Sequence, residues 1–317
     1  MKNTAGCLCT LVLTCFALAG HAHATIFGVK SCGSSPPQCG AVPSAAPAQL
    51  FSFQEDGSLF TEIGAVQLNG QNIDVDGLAL SPIHGLAGFE LQATGSRLLT
   101  INPMTAVATA VGPLLGSRDI RGAVFDLTGI LWVLDAAADV VLQIDPLTGE
   151  AVGTQTSLTF GGMPFDLTTG TDITVSQDGT FFISNSNTIL TLDIGSGGLT
   201  LLHTETAVEP GTTANPFYTG LAFAIPSISS NLFTYEVNGF DDIYVYDVGL
   251  NRAVLFGNIL SSFNAGRGDL ASVVTAPTTP IPEPNTILLL SIGLVVLLAW
   301  RGWQRTLGSL DAAERSA

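Results

Sequence analysis

Eight charged residues hold most of the chemistry that this chain offers: Asp74, Asp76, Arg118, Asp119, Arg121, Asp172, Arg267 and Asp269. Five of them, Asp76, Arg121, Asp172, Arg267 and Asp269, stand beside short apolar or glycine-containing runs that recur every 45 to 50 residues. Carboxylates drawn together from several such runs supply the hard oxygen ligands that suit Ca²⁺. Guanidinium groups among them suit a carboxylated sugar, which they clasp through paired N–H donors. This mixed acidic and basic set is the candidate ligand-binding site. The competing reading is structural, because an Asp next to a Gly commonly caps a turn with its own carboxylate.

Other chemistries find less support. His84 and His203 are the only histidines beyond residue 24, and they lie on different runs, so a histidine metal cage is not expected. No Gly-x-Ser-x-Gly elbow is present, and no glycine-rich run continues into Gly-Lys-Ser or Gly-Lys-Thr, which argues against an activated serine and a phosphate cradle. The acids Asp126, Asp145, Asp178 and Asp193 lack the alternate spacing and distal Glu of an EF-hand loop. No catalytic residue is assigned, and no cofactor is expected beyond the possibility of calcium.

What must position the five candidates is a repeated set of strands. Leu99 to Thr105 returns as Leu142 to Thr148 and as Leu190 to Gly195, with further copies at Phe51 to Gly57 and Tyr244 to Gly249. Each is an alternating strand, a polar turn and a second strand, which is a hairpin pattern. Ahead of most hairpins comes an inner-strand run: Val75–Leu80, Arg121–Phe125, Asp172–Val175, Thr219–Phe223 and Asp269–Val273. Four strands per unit at this period predict an all-β β-propeller, with five four-stranded blades expected and six the rival, since Asn69, 161–169 and 209–216 leave room for short strands. The chain ends on an inner strand and opens with an outer hairpin, so the C-terminal strand is expected to join Ile26 to Lys30 and complete one blade, closing the ring without a free sheet edge. These strand-turn-strand lines resemble NHL-type and sugar-lactonase-like propellers. Their alternating aromatics, such as Phe125, Trp132, Phe181 and Tyr246, are expected to pack between blades.

The two ends read as sorting signals. Lys2, the apolar stretch from Ala5 to Gly20 and Ala22-His23-Ala24 form a signal peptide pattern over residues 1–24. An exported chain meets an oxidising compartment, so Cys32 and Cys39 are expected to pair. Residues 25–280 form the propeller domain and residues 281–317 the tail. In that tail Pro282-Glu283-Pro284 precedes an apolar run from Ile287 to Trp300, followed by Arg301 and Arg305. As a helix the run measures about 21 Å, short of a hydrocarbon core of about 30 Å, so a transmembrane helix is placed at 287–303. The arginines fall on the cytoplasmic side by the positive-inside rule. The order resembles the PEP-CTERM tail of exported bacterial proteins. That resemblance implies an exosortase-type processing protease as partner, residence at the inner membrane before processing, and a final location in the envelope or matrix of exopolysaccharide-producing Gram-negative bacteria.

Composition agrees. The chain has 26 acidic against 10 basic residues and a net charge of −16, which argues against nucleic acid or an anionic membrane surface as a partner, since both need a basic patch. Two functions remain: a non-enzymatic exported propeller that binds exopolysaccharide or another envelope partner, and a metal-dependent lactonase-like or glycan-cleaving hydrolase.

Overall fold

The computed structural model describes residues 25–31, 48–54, 58–168, 170–204, 218–223, 231–236, 242–247, 252–258 and 267–273. The chain divides into two compact units at Ala276 and Pro277, and the described residues all belong to the first. Among them there is no helix, and every regular element is a strand.

In chain order, β1 (Thr25–Ser31), β2 (Gln49–Gln54) and β3 (Thr61–Ala65) come first, followed by a two-rung ribbon, β4 (Gln67–Leu68) and β5 (Gln71–Asn72). Blade 1 is β6 (Val75–Ser81), β7 (Gly85–Gln92), β8 (Gly95–Ile101) and β9 (Val107–Ala110). Blade 2 is β10 (Ile120–Phe125), β11 (Leu131–Asp135), β12 (Val140–Ile144) and β13 (Ala151–Ser157). A second ribbon, β14 (Thr159–Phe160) and β15 (Met163–Pro164), leads to blade 3: β16 (Thr171–Val175), β17 (Phe181–Asn185), β18 (Thr188–Asp193) and β19 (Gly198–Thr204). Blade 4 is β20 (Tyr218–Phe223), β21 (Asn231–Glu236), β22 (Asp242–Asp247) and β23 (Arg252–Asn258). The last strand, β24 (Arg267–Ala271), pairs with β1, so blade 5 has the order β24-β1-β2-β3. As expected, one blade is shared between the two ends of the body.

Five sheets result, but not all have the expected four strands: those of blades 1 and 3 have six. The extra strands are the ribbons at Asn69 and Gly161, two of the places that left room for a sixth blade. Each ribbon pairs in parallel with the outermost strand of the blade that follows, Gln67 opposite Val107 and Thr159 opposite Gly198. They extend an existing sheet and cover its outer edge. The third place, 209–216, lies outside the described residues.

The first strands make the hub. β6 packs on β10, β10 on β16, β16 on β20, β20 on β24, and β24 back on β6. The propeller therefore has no single core. Its apolar side chains form five layers, each between consecutive blades, such as Phe89, Leu98, Ile120, Val133 and Leu142 between blades 1 and 2 and Ile26, Phe51, Phe53, Ala222 and Leu270 between blades 4 and 5. Alternation puts one face of each strand into one layer and the other face into the next. Aromatic pairs bridge neighbours, with Trp132 edge-on to Phe181 at 6.2 Å and Phe182 edge-on to Phe223 at 5.1 Å. Turn aspartates fix the outer loops: Asp126 accepts from the amides of Thr128 (2.8 Å) and Ile130 (3.0 Å) and from Trp132 Nε1 (2.9 Å).

Candidate functional site

The site residues follow from irregularities in the hub strands. Three of the five carry a register shift: β6 between Asp76 and Ala79, β10 between Ile120 and Gly122, and β20 between Tyr218 and Gly220. A bulge leaves a residue out of the ladder and its amide in need of another acceptor. Each shift contains or adjoins a glycine, and two of these glycines are indispensable for close approach. A Cβ on Gly122 would lie 2.7 Å from the Cα of Asp172, and one on Gly220 would lie 2.9 Å from the Cα of Asp269. The hub strands thus touch backbone to backbone at two seams.

The aspartates bond across the other three seams. Asp172 accepts the amide of its own neighbour Ile173 (2.6 Å) on one oxygen and the amide of Leu221, on the next blade, on the other (2.5 Å). Asp269 repeats the pattern, taking the amide of Leu270 (2.7 Å) and, across the closing seam of the ring, the amide of Leu78. Asp76 accepts from the amide of Gly77 (3.3 Å) and from Arg121 Nη1 (3.2 Å), which joins blades 1 and 2. The fourth seam, between blades 4 and 5, uses Thr219 Oγ1 as acceptor for the amide of Gly268 (3.1 Å). Thr219 stands where Asp76 and Arg121 stand in the parallel triplets Asp76-Gly77-Leu78 and Arg121-Gly122-Ala123, a correspondence visible in the sequence.

Burial makes these groups unusual acids. Asp76, Arg121, Asp172 and Asp269 are all buried. Desolvation, which penalises the charged form, is the main cause that pushes Asp172 up to about 8, and hydrogen bonds from Asp269, Leu221 and Ile173 only partly oppose it. Burial first, then the charge and hydrogen bond of Asp172, raises Asp269 well above the carboxylate range. Asp76 rises to about 7 by burial, against the attraction of Arg121. The guanidinium of Arg121 is itself desolvated, but the two carboxylates of Asp76 and Asp119 outweigh that and hold it charged. It donates from Nη2 to Asp119 (2.8 Å), while its Nε sits 2.8 Å from the other Asp119 oxygen at an angle too bent for a hydrogen bond.

The structure thus brings Asp76, Arg121, Asp172 and Asp269 to one axis. Arg267 starts the closing strand opposite Ser31, and its side chain lies outside the described residues. Arg118 and Asp119 lie at the rim on the side where the hub strands begin. Arg118 donates to buried Asp135 (2.8 Å) and to Gln155 (3.2 Å). Among the described residues no three His, Cys, Asp or Glu side chains are grouped to hold a metal ion. His84 stacks on Phe125, and His203 lies tilted against Tyr246. Cys32, Cys39, Pro282, Glu283, Pro284, Arg301, Arg305 and the run at 287–303 lie outside the described residues, and among those described no helix is long and apolar enough to cross a membrane.

Comparison with known proteins adds the following. Residues 280–305 match the PEP-CTERM protein-sorting motif. The motif implies an exported protein, anchored in the membrane before it is processed by an exosortase, a membrane protease. No curated protein sequence matches the chain. Among solved structures, the chain is similar to a structural-genomics protein of unknown function from Bacteroides thetaiotaomicron, at 13% identity over 78% of this chain and 60% of that one, with a TM-score of 0.46. It is also similar to virginiamycin B lyase from Staphylococcus aureus, at 14% identity over 72% and 69% of the two chains and a TM-score of 0.37. A chain of the nidogen/laminin complex matches at 10% identity over 80% of this chain and 99% of that one, with a TM-score of 0.46.

Proposed function

We propose that the chain is a non-enzymatic binding module of the cell envelope, a propeller that binds exopolysaccharide at the rim where its hub strands begin. One observation carries this reading: the ionisable groups of the axis are spent on holding blades together. Every carboxylate oxygen of Asp76, Asp172 and Asp269 accepts a backbone amide or Arg121. Arg121 is engaged by two carboxylates. A hydrolase would need at least one cation ligand and one proton-transfer group able to meet substrate, and the axial carboxylates are buried and already bonded to the chain. The rim offers what a polysaccharide needs, because Arg118 and Gln155 present a guanidinium fork and an amide that are held in place while reaching solvent.

Titration of the full-length chain with exopolysaccharide from a Gram-negative producer tests this. Gln155→Ala should weaken binding by about tenfold, the equivalent of 1.4 kcal/mol, with no lactone or glycan turnover in either protein. Metal analysis of the same samples addresses calcium. A stoichiometric cation that disappears from Asp76→Asn together with turnover would replace the binding module with the hydrolase.

A further inference from the structure

In an antiparallel blade the first and third strands run the same way, so the turns that end them lie on one side of the ring. The chain itself marks that side. Val273 makes a parallel bridge to Leu80 at the end of β6, and the described body stops there. The four most exposed large apolar side chains among the described residues all sit in turns of this kind: Leu59 (74%) after β2, Ile83 (80%) after β6, Met104 (82%) after β8 and Leu147 (76%) after β12. Phe60 and Ile130 add to them from the same set of turns. Single exposed apolar residues are ordinary. Four on one side of three consecutive blades, 5, 1 and 2, flanking the point where the chain leaves, form a patch of the kind that marks a contact surface.

The blade 1 turns at 81–85 and 102–106 hold no Asp, Glu, Lys or Arg, whereas the corresponding turns of blade 2 carry Asp126, Asp145 and Glu150, those of blade 3 carry Asp178 and Asp193, and the segment between β2 and β3, which holds Leu59, carries Glu55 and Asp56. The uncharged part of this side is therefore blade 1, where Ile83 and Met104 stand. The occupant follows from the chain beyond Val273, since residues 274–286 reach at most about 45 Å when fully extended and lead into the apolar run at 287–303.

We infer that this side of the ring rests on lipid, with Leu59, Ile83, Met104 and Leu147 entering the bilayer interface while the protein is anchored. The rim of Arg118 and Gln155, at the opposite ends of the hub strands, is then turned outward. The inference depends on the anchoring that the sorting motif implies and not on polysaccharide binding, so the sugar titration and the experiment below can fail separately.

Beyond residue 24 the chain has two methionines, Met104 in the patch and Met163 on the ribbon of blade 3. Both are exposed in the protein itself, Met104 more than Met163. The full-length chain reconstituted in phosphatidylcholine vesicles is treated with hydroxyl radicals, and oxidation at each methionine is read by mass spectrometry. Oxidation follows access, so Met104 should react at least about threefold more slowly than Met163. The double variant Ile83→Asp, Leu147→Asp, both changes lying in solvent-facing turns, should remove that protection. Equal rates in the unchanged protein would overturn the inference, and so would protection that survives the double substitution. Protection that vanishes on dilution below one chain per vesicle would assign the cover to a second copy of the chain and also overturn it.

Discussion

Asp172 on blade 3 and Asp269 on blade 5 hydrogen-bond to each other beside the axis, and each also holds the backbone amide of the following blade. Two ionised carboxylates cannot share so dry a site, so the pair retains a proton at neutral pH. Asp269→Asn keeps a donor toward Asp172 and one acceptor for an amide, whereas Asp269→Ala strands the amides of Leu78 and Leu270 and leaves Asp172 buried without its partner. The alanine variant should lose about 1–3 kcal/mol for each amide left without an acceptor, and the asparagine variant markedly less. Urea unfolding of both variants measures the gap. Equal losses would show that the pair does nothing beyond filling space.

Stability should fall as pH rises from mildly acidic to alkaline. The unfolded chain ionises its aspartates near 3.8, while folded Asp76 and Asp172 hold their protons up to about 7 and about 8. Between those limits the folded state binds more protons, so stability present at low pH is lost progressively as pH climbs through 7 and 8. At the acid end the sign reverses. Hydrogen bonds from Ser176 and Thr180 hold Asp178 below its ordinary value, and those to Asp126 outweigh its burial, so their contribution disappears as pH falls below about 4. Thermal midpoints recorded from pH 3 to pH 9 should peak near pH 4, and Asp269→Asn should flatten the alkaline limb. A midpoint that rises steadily from pH 5 to pH 9 would contradict the burial of these acids.

The order of strands was legible because its signal is long-range and repeated. Leu99 to Thr105 and Leu142 to Thr148 are near copies, and the pairing of β1 with β24 follows from a chain that ends on an inner strand. The position of Asp76, Asp172 and Asp269 near the axis came from the same spacing. Their partners did not. Which amide an aspartate meets depends on bulges at Gly77, Arg121 and Thr219, and because these hub strands are buried on both faces they have no polar–apolar alternation in which a one-residue shift could show. Room for short strands at Asn69 and 161–169 was legible, but not that the ribbons β4–β5 and β14–β15 extend existing blades: two residues are too few to show a period, and their pairing is with a strand more than thirty residues away.

Gly122 should tolerate no side chain. A Cβ added there would lie 2.7 Å from the Asp172 Cα and 2.8 Å from Ile173 N, both backbone atoms, so no rotamer change can relieve it. Gly122→Ala should force blades 2 and 3 apart at the hub and cost at least about 2 kcal/mol, as overpacking of a tight interior does. Gly153, whose added Cβ would meet nothing within 4 Å, is the matched control; its positive φ of 72° should limit the cost of Gly153→Ala to about 1 kcal/mol. The comparison is a chemical unfolding series, and similar losses at the two sites would mean that the hub strands have slack.

The tail should be removed. The matched motif spans residues 280–305, and within it Pro282-Glu283-Pro284 stands ahead of the apolar run, with Arg301 and Arg305 behind it. A protease that reads such a signal from the membrane must act on the outer side of the apolar run, near Pro282, because the body lies on that side. Mass spectrometry of protein recovered from the envelope should therefore find a C-terminus close to residue 282 and an N-terminus at Thr25. Substituting Glu283 by Ala should leave the full tail in place and the protein in the membrane fraction, with the propeller still folded, since β24 ends at Ala271. Recovery at the cell surface of a chain still ending at Ala317 would contradict processing.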